Sequence, residues 1–219
     1  MSNYIKYPRT HHLPWSPGVS SDDVCTANTD HFVGREIIVT EKMDGENTTL
    51  YRDHTHARSL DSRNHPSRDW VKRWHSTIAH EIPEGWRICG ENLYARHSVA
   101  YQNLQSYFYG FSVWSADNNC MSWTETEEWF ELLGIHTPPV LYRGVWDEAL
   151  IRDIHIDQGV VEGYVARLAE QFAYDEFKQS VAKWVRPNHV QTDQHWMQAE
   201  IVPNGLQAGL QAQKKEGTS

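Results

Sequence analysis

EKMDGEN, residues 41–47, lies between two β-prone runs, EIIVTEK (36–42) and NTTLYR (47–52). An Asp-Gly pair between two such runs predicts a tight β-hairpin turn. Lys42 then stands at the end of an apolar strand, close to the backbone of the turn. Its amine is a nucleophile only after losing its proton, and burial or a neighbouring cation such as a metal ion lowers a lysine pKa enough for that. Taken alone, a K-x-D-G pattern is more often a surface lysine beside a turn.

Four further segments with chemically useful side chains follow in the sequence. GENLY (90–94) places Glu91 where a predicted strand ends, and YFYGF (107–111) offers aromatic faces for stacking on a flat base. VEGYV (161–165) places a glutamate in an apolar strand, which is costly unless the carboxylate binds a cation or a hydrogen-bond donor. VAKWVR (181–186) places positive charge on a late strand, which suits a phosphate.

Two helices carry clear sequence signals. Residues 66–82 predict a helix with Ser67 as its N-cap and with Trp70, Trp74 and Ile78 on one apolar face. A second helix is predicted over residues 124–133, with a capping box of Thr124 and Glu127 and with Gly134 closing it.

The remaining pattern predicts an α+β fold with antiparallel strands and few helices. Loops around short strands are expected over residues 1–35, and the segment from 204 to 219 has little to bury and is expected to be a disordered tail. The other predicted elements are strands at 86–94, 106–114, 160–168 and 180–187 and a short helix at 147–154.

Composition limits the functional classes. The 219 residues suffice for one good core, no apolar run is long enough to span a bilayer, and the N-terminus lacks the apolar region of a signal peptide. Three widely spaced cysteines make a cysteine-based zinc site improbable and fit a reducing cytoplasm. The formal net charge of -9 argues against strong nonspecific binding of nucleic acid, so any such binding needs a local basic patch.

Such a patch is available between residues 52 and 73, where basic side chains outnumber acidic ones. This excess predicts a strip for phosphates, although Lys72 and Arg73 fit a solvated helix face equally well. We assign no histidine site, because adjacent or alternating histidines in polar loops, such as His11-His12 and His54-x-His56, are more often exposed than ligands. The basic residues are Arg52, Arg58, Arg63, Arg68, Lys72 and Arg73.

The order of these motifs resembles that of the covalent nucleotidyltransferases, which are ATP-dependent DNA ligases, RNA ligases and mRNA capping enzymes. The phage-type and bacterial RNA ligases are the most similar, on the runs EKMDGEN, HARSLDSR (56–63) and CGENLY (89–94), and the resemblance covers roughly residues 36–190. It implies a single nucleotidyltransferase domain over residues 1–203, an ATP-grasp-like ligase adenylation domain with antiparallel sheets flanked by helices.

The resemblance also implies a role for each residue at the nucleotide. Lys42 would attack the α-phosphate of ATP, Glu41 would lie at the adenine pocket and Glu91 would contact the ribose. Phe111 would stack on adenine, with Tyr109 as the less favoured candidate.

Other positions would handle metal, phosphates and strand ends. Glu162 would bind Mg²⁺ or Mn²⁺, and Lys183 and Arg186 would contact the α-phosphate or orient pyrophosphate. Strand alternation prevents Lys183 and Arg186 from facing one pocket unless the strand bulges or ends between them, and Lys183 is the preferred candidate. The residues expected near the phosphate and the nucleic-acid ends are Asn47, Arg58, Arg63 and Arg68.

The implied reaction has three steps. A lysine takes AMP from ATP, the AMP passes to a 5′-phosphate, and a 3′-hydroxyl attacks that activated end. The expected partners are RNA ends, with DNA ends as the alternative, and no membrane. A DNA ligase or capping-type transferase with the same lysine chemistry, and a nucleotide-binding module without turnover, are the competing interpretations.

Overall fold

The computed structural model describes residues 4–21, 23–187 and 200–208. It is built on two β-sheets, of five and six strands. The strands are β1 (His11–His12), β2 (Glu36–Lys42), β3 (Glu46–Tyr51), β4 (Thr55–Ala57), β5 (Arg87–Asn92), β6 (Phe108–Trp114), β7 (Asn119–Cys120), β8 (Val140–Val145), β9 (Gly163–Leu168), β10 (Phe172–Ala173) and β11 (Val181–Val185). The α-helices are α1 (Asp69–Ile78), α2 (Trp123–Leu133), α3 (Glu148–Arg152) and α4 (Phe177–Ser180), with 3₁₀ turns at Asp30–Phe32, Pro66–Arg68, Ala79–Glu81 and Tyr174–Glu176.

The strand order is β1-β11-β9-β2-β8 in the first sheet and β10-β7-β6-β5-β3-β4 in the second. Every pairing between these strands is antiparallel except that of β1 with β11. The predicted α+β class with antiparallel sheets is therefore confirmed, and each of the four predicted strands after the first turn is present with ends shifted by a few residues.

The hairpin predicted at Asp44-Gly45 is wrong. Strand β2 pairs with β8 and β9 in the first sheet, whereas β3 pairs with β4 and β5 in the second. The polar groups of the turn bond to distant segments: the Asp44 carboxylate accepts from Ser98 Oγ and from the Val99 backbone at 2.7 Å each, and the Asp44 backbone donates to the Tyr101 hydroxyl. Residues 43–45 therefore cross from one sheet to the other.

Helix α1 forms where it is expected, but its cap differs. Ser67 lies inside the preceding 3₁₀ turn and is buried, and the side chain of His65 caps that turn by accepting from the Ser67 backbone. The predicted apolar face is confirmed, because Trp70, Trp74 and Ile78 all pack against the core under the helix.

The capping box of helix α2 lies two residues before the predicted one. Ser122 is the N-cap and Glu125 completes the box, so the assignment to Thr124 and Glu127 is wrong by one half-turn. The other end follows the prediction, since Gly134 closes the helix in the left-handed region with φ of 66°.

The second sheet is covered on both faces. One face packs against the first sheet through a cluster that includes Trp114 and Cys89 from the second sheet and Val39 and Ala166 from the first. Its other face packs against α1 and α2 through a separate cluster around Phe108. One cavity lies between the two sheets and is lined by side chains from both.

The chain does not become disordered at residue 204 as predicted. Asn204 is buried, its side chain donates to the Leu93 carbonyl, and Leu206 packs near Tyr107. The expected tail from 209 onwards lies outside the described residues. Within the described ranges, none of the helices combines the length and apolar character that a lipid bilayer requires of a spanning segment.

Gly163→Ala should destabilise the fold. A Cβ at this position would lie 2.0 Å from the carbonyl oxygen of Trp184 in the neighbouring strand β11, so the two strands must separate. Overpacking of this kind costs about 1–3 kcal/mol, and thermal denaturation should show a lowered Tm. Gly159→Ala is the matched control, because its Cβ would meet only the end of the Asp157 side chain at 3.1 Å, and an equal loss of Tm in both variants would contradict this account.

Candidate active site

A cleft of about 1370 Å³ lies between the sheets and is lined by residues of β2, β3, β6, β9 and β11. It brings together nearly every residue that the sequence motifs single out, although these come from positions more than 140 apart in the chain. The predicted site residues in its lining are Glu41, Lys42, Asn47, Arg58, Arg63, Arg68, Glu91, Phe111, Glu162 and Lys183.

Lys42 and Glu162 form an ion pair in this cleft. Lys42 Nζ donates to Glu162 Oε2 at 2.6 Å, and the glutamate is almost fully buried whereas the lysine side chain stays 24 % exposed. Glu162 directly precedes β9 instead of lying within it. Burial alone would lower the pKa of Lys42, but the carboxylates of Glu162, Glu91 and Asp44 outweigh burial and hold that pKa above its ordinary value. In this state the amine is protonated, in contrast to the lowered pKa expected from the sequence.

Glu91 lies next to this pair at the turn between the sheets. One of its carboxylate oxygens accepts from the Gly45 backbone at 3.2 Å. Burial raises the pKa of Glu91 to about 8, with Glu162 and Asp44 adding to the rise and Lys42 opposing it. The group is therefore largely neutral at pH 7, and its protonated oxygen can donate to a hydroxyl. Burial also raises the pKa of Glu41 on the adjoining strand.

Lys183 projects into the cleft from β11 and has its own carboxylate partner. Its Nζ lies 3.4 Å from Asp23, which in turn contacts His12 at 3.3 Å. Burial and the nearby charge of Lys42 lower the pKa of Lys183, although Asp23 opposes this. Burial lowers the pKa of His12 to about 4, so this imidazole is neutral. The pKa of Asp23 falls to about 2: burial favours a rise, but hydrogen bonds from Ser20 and the nearby Lys183 outweigh it.

Arg186 lies outside the cleft, so its predicted place at the nucleotide is not supported. Strand β11 ends at Val185, and the Arg186 guanidinium donates to the carbonyl of Gln158. The reason is the strand alternation noted above, which turns the side chain after β11 away from the face that Lys183 occupies.

Phe111 faces the cleft because β6 carries a bulge there. Cys89 pairs with Ser112 and Gly90 pairs with Gly110, which leaves Phe111 without an opposite residue. The aromatic ring packs edge-on against Tyr7, with 5.2 Å between ring centres.

Tyr109, the less favoured candidate, points elsewhere. It is buried in the cluster near Tyr107, and its hydroxyl accepts from the Gln105 backbone.

The three arginines predicted to contact nucleic acid divide into two groups. Arg58 and Arg63 line the cleft, and neither guanidinium has a carboxylate partner within the described ranges. Arg68 is buried and its charge is matched by Glu46, with Nε to Oε2 at 2.7 Å and a further bond to the Arg63 carbonyl. The prediction of Arg68 as a nucleic-acid contact is therefore not supported, since it serves as an internal brace.

Three contributors to the site escaped the sequence motifs. His12 belongs to the two-residue strand β1 and Asp23 to the loop that follows it. They reach Lys183 because β1 pairs with β11, and no local sequence pattern predicts so short a strand. Arg167 lines the cleft and donates to the carbonyls of Phe111 and Met121, which fixes the bulge. The available sequence signal was its place within a predicted apolar strand, between Ala166 and Leu168.

The described residues of this cleft offer a divalent cation few ligands of their own. No group of three or more His, Cys, Asp or Glu side chains suited to a metal occurs in the described part of the chain. Mg²⁺ in nucleotide enzymes commonly takes one or two carboxylates and completes its shell with phosphates and water. Glu162, facing the cleft beside the lysine, supplies such a carboxylate.

Comparison with solved structures gives the same architecture. An archaeal ATP-dependent RNA ligase matches with a TM-score of 0.55 and 14% identity over 83% of this chain and 48% of that one. Naegleria gruberi RNA ligase matches in a mutant with AMP and Mn (TM-score 0.53, 16% identity, 72% and 52% coverage) and with PPi (0.52, 17%, 72% and 51%). At these identities the matches show the fold, and this chain spans about half the length of those ligases.

Sequence comparison identifies the family. A search of curated protein sequences gives no significant match. The RNA ligase family, in contrast, matches residues 35–185, which hold the cleft lysine, the carboxylates and strand β11. This match covers more than half of the chain. With the ligase fold and the lysine-centred cleft, it shows that the chain belongs to the RNA ligase family.

Proposed function

We propose that this chain is the adenylating part of an ATP-dependent RNA ligase that carries AMP on Lys42. The observation that supports this most directly is the position of Lys42 Nζ in the cleft, 2.6 Å from Glu162 and in one cavity with Lys183, Glu91 and Phe111. Attack on the α-phosphate of ATP needs a nucleophile, a ring that stacks on the base and a cation that faces the phosphates.

In the first step the neutral Lys42 amine attacks the α-phosphorus, a phosphorus–nitrogen bond forms, and pyrophosphate leaves. The ammonium must first lose a proton, which passes to solvent on the exposed side of the lysine, whose side chain is 24 % exposed. Mg²⁺ or Mn²⁺ held by Glu162 would offset the negative charges of this carboxylate and of the phosphates. The attraction that holds the pKa of Lys42 above its ordinary value would then be lost.

The remaining groups orient the nucleotide. Phe111 offers one face to the adenine, the neutral Glu91 exchanges hydrogen bonds with the ribose, and Lys183 balances the charge of the α-phosphate. Asn47 also lines the cleft, and its buried Oδ1 makes no hydrogen bond within the part of the chain that the structure describes. Such preorganised groups need no rearrangement when charge develops in the transition state.

In the later steps AMP passes to a 5′-phosphate, and a 3′-hydroxyl then displaces it. Arg58 and Arg63 are the cations suited to the phosphates of the strand ends, because their charges are not matched by carboxylates in the described structure. Incubation with ATP or GTP, followed by nicked RNA or DNA, separates an RNA ligase from a DNA ligase and from a capping-type transferase.

Lys42→Ala should abolish attachment of AMP while the fold persists. Mass spectrometry of the intact protein after exposure to ATP measures this directly. The variant should still seal a strand whose 5′ end already carries AMP, because that step does not use the amine as nucleophile. Lys178→Ala, which removes an exposed lysine of α4 outside the cleft, is the control, and AMP on a folded Lys42→Ala protein would refute the assignment.

Phe111→Ala should weaken the use of ATP more than Phe111→Tyr does, because adenine needs a flat face. Stacking of a base on an aromatic ring contributes roughly 1–3 kcal/mol, so the KM for ATP should rise at least several-fold. Tyr109→Ala is the comparison, since its ring lies outside the cleft. Should Tyr109→Ala raise the KM and Phe111→Ala leave it unchanged, the stacking residue is the other aromatic.

Glu162→Gln and Lys183→Met should each slow AMP transfer by on the order of 10²-fold or more, the scale for removal of one preorganised charged group. Both changes keep the side-chain shape, so the Tm should fall little. Rates of AMP loading on the folded fraction, measured beside thermal melts, test this. Early melting together with normal loading would instead mean that these residues form structural ion pairs only.

A further inference from the structure

An acidic residue from the N-terminal part of the chain lies against Lys183 in the wall of the cleft. The distance from Lys183 Nζ to Asp23 Oδ1 is 3.4 Å, and the two side chains are only 11 % and 8 % exposed. Both residues line the cleft. An ammonium that is removed from water is unstable without a counterion, so Asp23 helps Lys183 to stay charged at this place.

The backbone around Asp23 holds its carboxylate in position. Strand β1 pairs with β11 so that His12 lies opposite Lys183, and the His12 backbone donates to the Val24 carbonyl at 2.7 Å. The backbone and the hydroxyl of Ser20 donate to Asp23 Oδ2 at 3.1 and 2.8 Å. One oxygen of the carboxylate is therefore fixed by its own turn, and the other, Oδ1, is directed at the lysine.

His12 and Ser16 lie behind this carboxylate. His12 is fully buried, and its Nε2 lies 3.3 Å from Asp23 Oδ2, although the ring N–H is not aligned for a hydrogen bond. On the other side of the ring, Nδ1 lies 2.8 Å from Ser16 Oγ, which accepts from the Val185 backbone at 2.9 Å. The row of contacts begins at Lys183 and returns to β11 at Val185, so the strand that carries the lysine also anchors the group that holds it.

The contact with Asp23 leaves Lys183 able to bind a phosphate. An ammonium has three donors on a flexible four-carbon stem. One donor directed at Asp23 restricts the stem, and the others remain for a ligand in the cleft. The distance of 3.4 Å is also longer than that of a tight hydrogen bond between charged groups, which is about 2.7–2.9 Å.

We propose that Asp23 is a positioning residue for the transfer of AMP, and that it acts through Lys183 by holding the ammonium charged and directed at the α-phosphate. The inference rests on the proposed function, in which Lys183 balances the charge of that phosphate. Negative charge develops there as the transfer proceeds, so loss of Asp23 should slow the transfer step and leave the binding of ATP nearly unchanged.

The test is Asp23→Asn, which keeps the size of the side chain and removes its charge. At saturating ATP, the variant should load AMP about 10- to 100-fold more slowly, the scale of one hydrogen bond to a charged group, and its KM for ATP should stay unchanged. A purely structural role predicts a raised KM, because Tyr7 and Arg9 of the same N-terminal segment line the cleft and would be displaced. Asp30→Asn, an exposed position outside the cleft, is the matched control and should load at the native rate.

A double-mutant cycle with Lys183→Met tests whether Asp23 acts through the lysine. Adding Asp23→Asn to Lys183→Met should cause no further loss of rate, because the group that Asp23 positions is already gone. Losses that multiply, a raised KM, or native loading by a folded Asp23→Asn protein would each overturn the inference.

Asp23→Glu takes the place of Asp23→Asn if the latter does not fold. It keeps the charge but displaces the carboxylate by the length of one methylene, so loading should slow at an unchanged KM, and a native rate would contradict the positioning role. A native protein that loads no AMP refutes the proposed function and this inference with it. Loading that does not depend on Asp23 refutes the inference alone.

Discussion

The buried carboxylate of Asp44 holds the chain at the point where it passes from one sheet to the other. It accepts from the Ser98 hydroxyl and from the Val99 backbone, and the Tyr101 hydroxyl accepts from the Asp44 backbone. A buried charge is stable only when several donors satisfy it, so these bonds fix the crossing in one conformation. The crossing places Lys42 at the end of a strand in one sheet and Asn47 near the start of a strand in the other. The turn therefore sets the distance between the two walls of the cleft.

The cleft gathers several carboxylates, yet it is suited to a polyphosphate because their charges are masked in different ways. Glu91 is largely neutral, with a pKa of about 8, Glu162 is balanced by Lys42, and Asp44 is surrounded by donors. The net charge of -9 for the whole chain is therefore a poor guide to the local field, which depends on which carboxylates remain ionised and exposed.

The sequence predicted the site better than it predicted the local connections. Several motifs join a chemical group to an apolar strand, as at Lys42, Glu162 and Lys183, and the resemblance to RNA ligases named the other cleft residues. That β2 and β3 belong to different sheets could not be found in this way, because Asp-Gly is compatible with a hairpin. The bonds that hold the crossing come from a distant segment, where Ser98 and Val99 donate to Asp44 and Tyr101 accepts from it. His56 was expected to be exposed, but its burial depends on packing between β4 and α1, which no local pattern encodes.

The short strand β1 has a consequence for how the protein is made. It pairs with β11 next to Lys183, and Ser16 exchanges hydrogen bonds with the backbone of Val185, 169 residues away in the chain. Contacts between such distant segments form late in folding, because the entropy cost of closing the loop between them comes before the contacts stabilise the fold. On a ribosome, the first residues must therefore wait for nearly the whole domain to emerge. Until then a nascent chain that already contains Lys42 has no Lys183 beside it.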